Sequence, residues 1–206
     1  DKASSPINLY GATKLASDKL LIASNSYAGG QNTRFAVVRY GNVMGSRGSV
    51  IPHFLTLADN AELPITDTNM TRFMITLEQG VSLAWHAFDE MVGGEIFVKK
   101  IPSMRVVDIA RAIAPDAKHN VIGIRPGEKL HEQMISEDDS HHTYEYEHYF
   151  KILPAIHNWG NDVQRIKFGK KVAPGFTYAS DRNPDWMKTE ELREWIKINR
   201  DSIGRF

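Results

Sequence analysis

The chain has 206 residues, enough for one domain or for a piece of a larger protein. Lys plus Arg and Asp plus Glu each number 25, so no net field recruits nucleic acid or an anionic membrane, and any anion site must be built locally from placed arginines. The lack of cysteine excludes disulfides, thiolate catalysis and cysteine-ligated zinc; no apolar run reaches membrane-spanning length and the opening Asp1-Lys2-Ala3-Ser4-Ser5-Pro6 is no signal peptide, so a soluble cytoplasmic protein is expected.

Asn8 is a good N-cap for a helix from about Leu9 to Ser26, with Ala12, Ala16, Leu20 and Ala23 as its inner stripe. This helix carries Tyr10 and Lys14, four apart and therefore one above the other on one face. An ammonium one turn from a phenol favours the phenolate, which can take a proton from a sugar hydroxyl while hydride leaves the same carbon. Alone, Tyr-x-x-x-Lys is a weak signal, and on most helices such a pair is a solvated face. Gly29-Gly30 is expected to end the helix and its connection.

Arg34 to Tyr40 reads as a buried strand that runs into Gly41–Gly48, a glycine-rich turn where backbone can approach a ligand. That run lacks the spacing of a pyrophosphate-binding loop and has no obvious helix after it. Extended pieces follow around Leu63–Thr66 and Met70–Ile75, then a helix over about Thr76 to Met91 with Leu77, Val81, Ala84, Trp85 and Phe88 on one face. Trp85 and Phe88 are expected in the core. Gly94 to Lys99 reads as a strand, followed by a helix near Arg105–Ala114 and a strand near His119–Ile124. Helix, strand, helix, strand is the rhythm of parallel α/β units. Residues 138–160 receive no assignment. Thr189 caps a last helix, with Leu192, Trp195 and Ile196 facing inward. With no dinucleotide loop, and a catalytic-looking pair at its very start, the chain reads as the C-terminal portion of a longer protein. Its parallel strands would then have an unpaired inner edge.

Four motifs occur in order: Asp1-Lys2-Ala3 with Pro6 and Asn8-Leu9-Tyr10-Gly11-Ala12-Thr13-Lys14; Arg39-Tyr40-Gly41-Asn42-Val43 with Gly45-Ser46-Arg47-Gly48-Ser49-Val50; Pro64-Ile65-Thr66-Asp67 with Met70-Thr71-Arg72-Phe73; and Arg125-Pro126-Gly127-Glu128-Lys129-Leu130-His131-Glu132. Together they resemble the extended short-chain dehydrogenase/reductase superfamily and, more narrowly, the inverting UDP-N-acetylglucosamine 4,6-dehydratases of pseudaminic acid biosynthesis. The tail His141-His142-Thr143-Tyr144-Glu145-Tyr146 and Asn183-Pro184-Asp185-Trp186-Met187 belong to the same likeness.

The resemblance implies an α/β fold: the C-terminal part of an extended Rossmann fold plus a small α/β substrate-binding domain. Residues 1–50 would end the Rossmann domain, 51–75 belong to the substrate domain, 76–100 supply the last Rossmann helix and strand, and 101–206 form the substrate-binding domain and tail. It implies UDP-N-acetylglucosamine as substrate, NADP as cofactor with NAD not excluded, and a homo-oligomer, with no nucleic-acid or membrane partner. By the same likeness Tyr10 takes the 4-hydroxyl proton and Lys14 supports it and holds the nicotinamide ribose. Lys2 removes the C5 proton and Asp1 protonates the departing 6-hydroxyl. Tyr40, Asn42 and Val43 join Tyr10 and Lys14 at the cofactor. Arg72 and Arg125 clamp the diphosphate with help from Arg47, Glu128 holds a ribose hydroxyl, Val50 and Pro52 lie near the uracil, and Asn42 and Thr66 line the substrate.

The bland readings stand beside these. Asp1-Lys2 can be an exposed ion pair, and each arginine a surface salt bridge. A UDP-sugar 4-epimerase would need Tyr10 and Lys14 but no acid–base pair for C5 and C6. A non-catalytic fragment would only bind a nucleotide sugar or a partner subunit. His141, His142, Glu145 and His148 have no spacing of a closed ligand set, so no metal is expected.

Overall fold

The computed structural model describes residues 1–28, 32–155 and 165–205. In chain order they form α1 (Leu9–Tyr27), β1 (Val37–Arg39), β2 (Asn42–Val43), α2 (Val50–Thr56), β3 (Glu62–Ile65), β4 (Thr71–Ile75), α3 (Leu77–Glu90), β5 (Ile96–Lys99), β6 (Ser103–Arg105), α4 (Val106–Ile113) and β7 (Lys118–Val121). Then come β8 (Gln133–Ile135), a 3-10 turn (Asp138–His142), β9 (Thr143–Glu145), β10 (Tyr149–Ile152), β11 (Lys170–Lys171), β12 (Tyr178–Ala179) and α5 (Thr189–Asn199). The expected α/β class is present, and no described helix is long and apolar enough to cross a membrane. The chain divides into two compact units, one of residues 1–40, 78–100 and 133–179, the other of 41–77, 101–132 and 180–206. Residues 41–50, 76–77 and 133–179 are grouped differently here from the sequence expectation.

The first unit is built on a five-stranded sheet in the order β1-β5-β10-β9-β11. β1 pairs parallel to β5, with Val37 opposite Ile96, and has no second partner among the described residues. β10 then runs antiparallel between β5 and β9. Phe97 is fully buried under Leu83 and Ala87 of α3, with Ala36, Val38, Met91 and Tyr149 around them. Residues 138–152, unassigned from sequence, thus supply two strands of the main sheet; 156–160 lie outside the described residues, as does the Gly29-Gly30 break. Hydrophobic patterning could not find β10, because its buried Lys151 sits over the rings of Phe97 and Tyr146 at 5.1 and 5.2 Å. Burial holds the Lys151 ammonium below its ordinary range, against the pull of Glu95 and Glu90. Tyr146 and Tyr149 stack at 4.6 Å, and burial pushes both phenols up to about 12.

Two helix faces differ from expectation. On α1 the buried residues are Gly11, Asp18 and Ile22, while Ala12, Ala16 and Leu20 are exposed. On α3 the stripe through Val81, Trp85 and Phe88 faces outward, with Trp85 64% and Phe88 63% exposed; the face with Leu83 and Ala87 meets the sheet. Periodicity identifies a face, but not which of two faces the sheet takes.

The second unit contains the sheet β2-β4-β6 and the parallel pair β3-β7, packed with α2, α4 and α5. Counting β1-β5, there are three parallel strand pairings among the described residues. Ile51, Phe54, Leu63, Ile65, Ile109 and Leu192 are buried in this core. α5 is preceded by Lys188, so Thr189 is its first helical residue and not its cap; the Glu191 carboxylate accepts from the Lys188 N–H at 3.2 Å. Leu192 and Ile196 face inward as expected. Asn183 donates to the Ile101 carbonyl at 2.8 Å and to Ser103 Oγ at 3.0 Å, which gives the Asn183–Met187 motif a bracing role.

The first unit also buries an ion pair, Arg165 Nη1 to Glu95 Oε1 at 3.0 Å. The Glu95 carboxylate accepts further from the Val92 and Gly93 N–H groups, at 3.0 and 2.7 Å. Breaking such a pair on one side leaves a buried charge, so Glu95→Ala is expected to cost about 3–5 kcal/mol in urea unfolding of the full-length protein.

Candidate functional site

In the first unit Lys2 Nζ donates to Asp1 Oδ2 at 3.1 Å, with the aspartate side chain only 8% exposed and the lysine 39%. The Asp1 nitrogen donates to the Tyr40 carbonyl at 3.1 Å, so the dipeptide is tied to the end of β1. Ala3 and Ser4 are buried behind it. The helix begins where Asn8 Oδ1 accepts the Gly11 N–H at 2.8 Å, as the cap reading expected.

Gly11 explains how the two pieces come together. A Cβ there would lie 2.7 Å from the Lys2 carbonyl oxygen and 2.8 Å from Pro6 Cβ, closer than real contacts allow. Only a residue without a side chain lets the Lys2 backbone rest on the first turn of α1, next to Tyr10. Tyr10 is 61% exposed, and Lys14 Nζ stands 5.5 Å from its ring centroid. Asp1, Lys2, Tyr10, Lys14 and Tyr40 therefore lie on one unit.

The second unit holds the other residues singled out above. Asn42 and Val43 form β2, opposite Met74 and Ile75 of β4. The Asn42 side-chain oxygen is buried without a hydrogen-bond partner among the described residues. Arg47 is exposed on the turn after β2. A short helix, α2, does follow the Gly41–Gly48 run, correcting the expectation of none; Val50 and Pro52 lie in its first turn, where proline is tolerated. Thr66 is half-buried just after β3.

Arg125 and Glu128 are the two ends of one turn. The Glu128 N–H donates to the Arg125 carbonyl at 3.0 Å, Pro126 fills the second position, and Gly127 takes φ +78° at the third. This is a type II turn, which needs the left-handed backbone that glycine supplies. Arg125 is exposed; Glu128 is half-buried. Glu128 Oε1 accepts from Arg72 at 3.4 Å, while its Oε2 is buried without a partner among the described residues.

Arg72 is more enclosed than a simple clamp would be. It is 8% exposed, donates to the Thr71 and Leu130 carbonyls at 2.8 and 3.2 Å, and faces Glu128 and also Glu132 at 3.8 Å. Burial lowers its pKa from the ordinary arginine value, and the two glutamates oppose that shift. Thr71 Oγ1 meets His131 Nδ1 at 2.8 Å and Ser180 Oγ at 2.6 Å, and Ser180 Oγ accepts the Glu132 N–H at 2.9 Å. Arg72, His131, Glu132 and Ser180 thus lock the segment after the turn onto β4.

Sequence reasoning missed Arg39 as more than part of a motif. It is buried, and donates to Asp18 at 3.0 Å, to Asp139 at 3.1 Å and to the Met134 carbonyl at 3.0 Å. An arginine inside a β-branched strand is the signal that was present. Among the described residues no three His, Asp or Glu side chains gather as a metal site, and Glu145 instead accepts from Lys100 at 2.8 Å.

Comparison with known proteins adds context. A family described as polysaccharide biosynthesis protein matches residues 1–154. The chain is 57% identical over 203 residues to a UDP-N-acetylglucosamine 4,6-dehydratase (inverting) of Campylobacter jejuni, covering 95% of this chain and 61% of that protein. It is 35% identical over 212 residues to a UDP-glucose 4-epimerase of Rickettsia bellii, covering 98% of this chain and 60% of that protein. The X-ray structure of Pen from Bacillus thuringiensis is similar with a TM-score of 0.82 and 34% identity, over 97% of this chain and 61% of that one. The chain therefore spans about three fifths of the length of the curated relatives it matches.

The close approach at Gly11 is open to test. Gly11→Val is expected to push the Lys2–Pro6 segment off α1 at a cost of about 1–3 kcal/mol, read by urea titration. Amide exchange should then quicken at the buried Ala3 and Ser4.

Proposed function

The chain belongs to the polysaccharide biosynthesis protein family, and from that membership and the acid–base set of its first unit we propose that it carries the catalytic groups of a UDP-N-acetylglucosamine 4,6-dehydratase (inverting). The observation that carries this reading is the Asp1–Lys2 pair, 3.1 Å apart, resting against the first turn of the Tyr10–Lys14 helix. An epimerase has work for the tyrosine and lysine of the helix but none for a second acid and base. The 57% identity to a dehydratase, against 35% to a 4-epimerase, supports the same choice.

A nicotinamide dinucleotide, NADP in this proposal, would supply the hydride acceptor for C4 and the hydride donor for C6. The chain's own residues manage the protons. Tyr10 takes the proton of the 4-hydroxyl as the C4 hydride leaves, and Lys14 holds the phenol and the cofactor ribose. A C4 ketone makes the C5 proton removable, because the charge left behind spreads as an enolate. Lys2 takes that proton while Asp1 protonates the 6-hydroxyl, which departs as water. With C6 reduced and C5 reprotonated, the net change would be the loss of one water. For the proton transfers at C5 and the 6-hydroxyl, Asp1 must begin protonated and Lys2 neutral.

The second unit is proposed to hold the UDP. Asn42 and Glu128 each present a buried acceptor oxygen without a protein partner among the described residues, which suits ribose, sugar or carboxamide donors. Arg125 and Arg47, both exposed, would grip the diphosphate, and Val50 and Pro52 would meet the uracil. Arg72 is assigned a different share from the one first expected. Enclosed by two glutamates and two carbonyls, it holds Glu128 and the turn in place, with any phosphate contact secondary. In domain terms, residues 1–40 and 78–100 would be the end of the cofactor domain, and 101–132 and 180–206 part of the substrate domain.

The test is incubation of the full-length protein with UDP-N-acetylglucosamine and NADP⁺. Loss of the mass of one water supports the dehydratase; an isomer of unchanged mass would replace it with the epimerase. Tyr10→Phe is expected to lower turnover at least about 10²-fold. Lys2→Met should keep oxidation at C4, seen as cofactor reduction, yet lose deuterium uptake at C5 in heavy water.

A further inference from the structure

We propose that Arg39 is a positioning residue that sets where the Tyr10–Lys14 helix sits relative to the Asp1–Lys2 pair. The inference rests on the proposed function for its meaning in catalysis, but its geometry is independent of it.

Within this chain α1 buries Gly11, Asp18 and Ile22, and one of those side chains is a carboxylate. Polar tethers join the helix to the strand below it. At the far end Asn25 Nδ2 donates to the Phe35 carbonyl and Asn25 Oδ1 accepts the Phe35 N–H, both at 3.0 Å. In the middle stands Asp18, whose carboxylate accepts from Arg39 Nε at 3.0 Å.

Asp18 lies one turn beyond Lys14 and two beyond Tyr10, about 6 and 12 Å along the axis. The row Tyr10, Lys14, Asp18 drifts slowly around the helix, so a tether on the last member fixes the azimuth of the first two. Arg39 is itself held by further partners. Its Nη1 donates to Asp139 and to the Met134 carbonyl, and the Asp139 carboxylate also accepts the Ser136 N–H at 3.1 Å. The planar guanidinium thus holds two carboxylates and a carbonyl in one rigid arrangement, which an ammonium cannot reproduce.

The neighbouring residue completes the argument. Tyr40, the residue just after β1, offers its carbonyl to the Asp1 nitrogen at 3.1 Å. Two consecutive residues therefore hold the two halves of the acid–base set, Arg39 through Asp18 and Tyr40 through Asp1. A shift at Arg39 moves Tyr10 and Lys14 against Asp1 and Lys2 without touching any of the four.

The experiment compares Arg39→Lys and Asp18→Asn in the full-length protein with wild type, with Arg111→Ala, on an exposed pair, as control. Both variants should lower kcat at least about 10-fold, since small misplacement of reacting groups is costly. KM for UDP-N-acetylglucosamine and the Kd for UDP should stay within about twofold, because the groups assigned to UDP lie on other elements. Amide exchange should quicken in residues 9–27 and little elsewhere. A folded Arg39→Lys with kcat within about twofold of wild type would overturn the proposal, as would a loss carried by KM. Should both variants fail to fold, the pair is a stability element and the proposal is wrong. Should wild type release no water from the sugar nucleotide, the dehydratase reading fails, while the exchange measurement still decides whether Arg39 anchors the helix.

Discussion

A guanidinium buried between two acidic side chains is the constraint on which the first unit turns. Arg39 is the last residue of β1 at the sheet's parallel edge, Asp18 comes from the helix above it, and Asp139 from the turn that feeds the antiparallel strands. Three segments far apart in the chain meet on one planar group, within hydrogen-bond distance of each. Burying those charges is favourable only while every partner stays in place, so the group specifies one arrangement more than it adds stability. The helix it anchors has little apolar contact of its own within this chain.

Much of this organisation was legible, and the failures share a cause. The Asn8 cap, the strands β3, β4 and β5 and the Tyr10–Lys14 spacing depend on near neighbours, and sequence reports those directly. The inner face of α1 did not follow from residue type, because Asp18 is buried by a partner twenty-one positions away. α3 carries a strongly apolar stripe on the side the sheet does not use; Leu83 and Ala87 let the helix approach the sheet closely, while Trp85 and Phe88 remain outside. β10 was invisible because a lysine is buried in it beside two half-buried tyrosines, made tolerable by ring faces and by Glu95.

The candidate site was legible as a set of residue types but not as a set of roles. Arg72 reads as a phosphate ligand in a sequence, since an arginine near an anion site is the simplest guess. In the fold it spends its donors on Leu130 and Thr71 carbonyls and on Glu128. The exposed arginines, Arg47 and Arg125, are the ones with donors turned toward solvent. Gly11 shows the opposite case: it reads as a mild liability inside a helix, and its value appears only when the Lys2 carbonyl is found against it.

The Pro126-Gly127 corner leaves no slack between the residues it joins. Arg125 and Glu128 close one four-residue turn, and Glu128 is in turn leashed to Arg72. A positive side chain and an acceptor oxygen hang from the same hinge, so neither can be re-aimed alone. Point changes inside the corner would swing both at once, and new ligand preference here would have to arise by replacing the corner as a block.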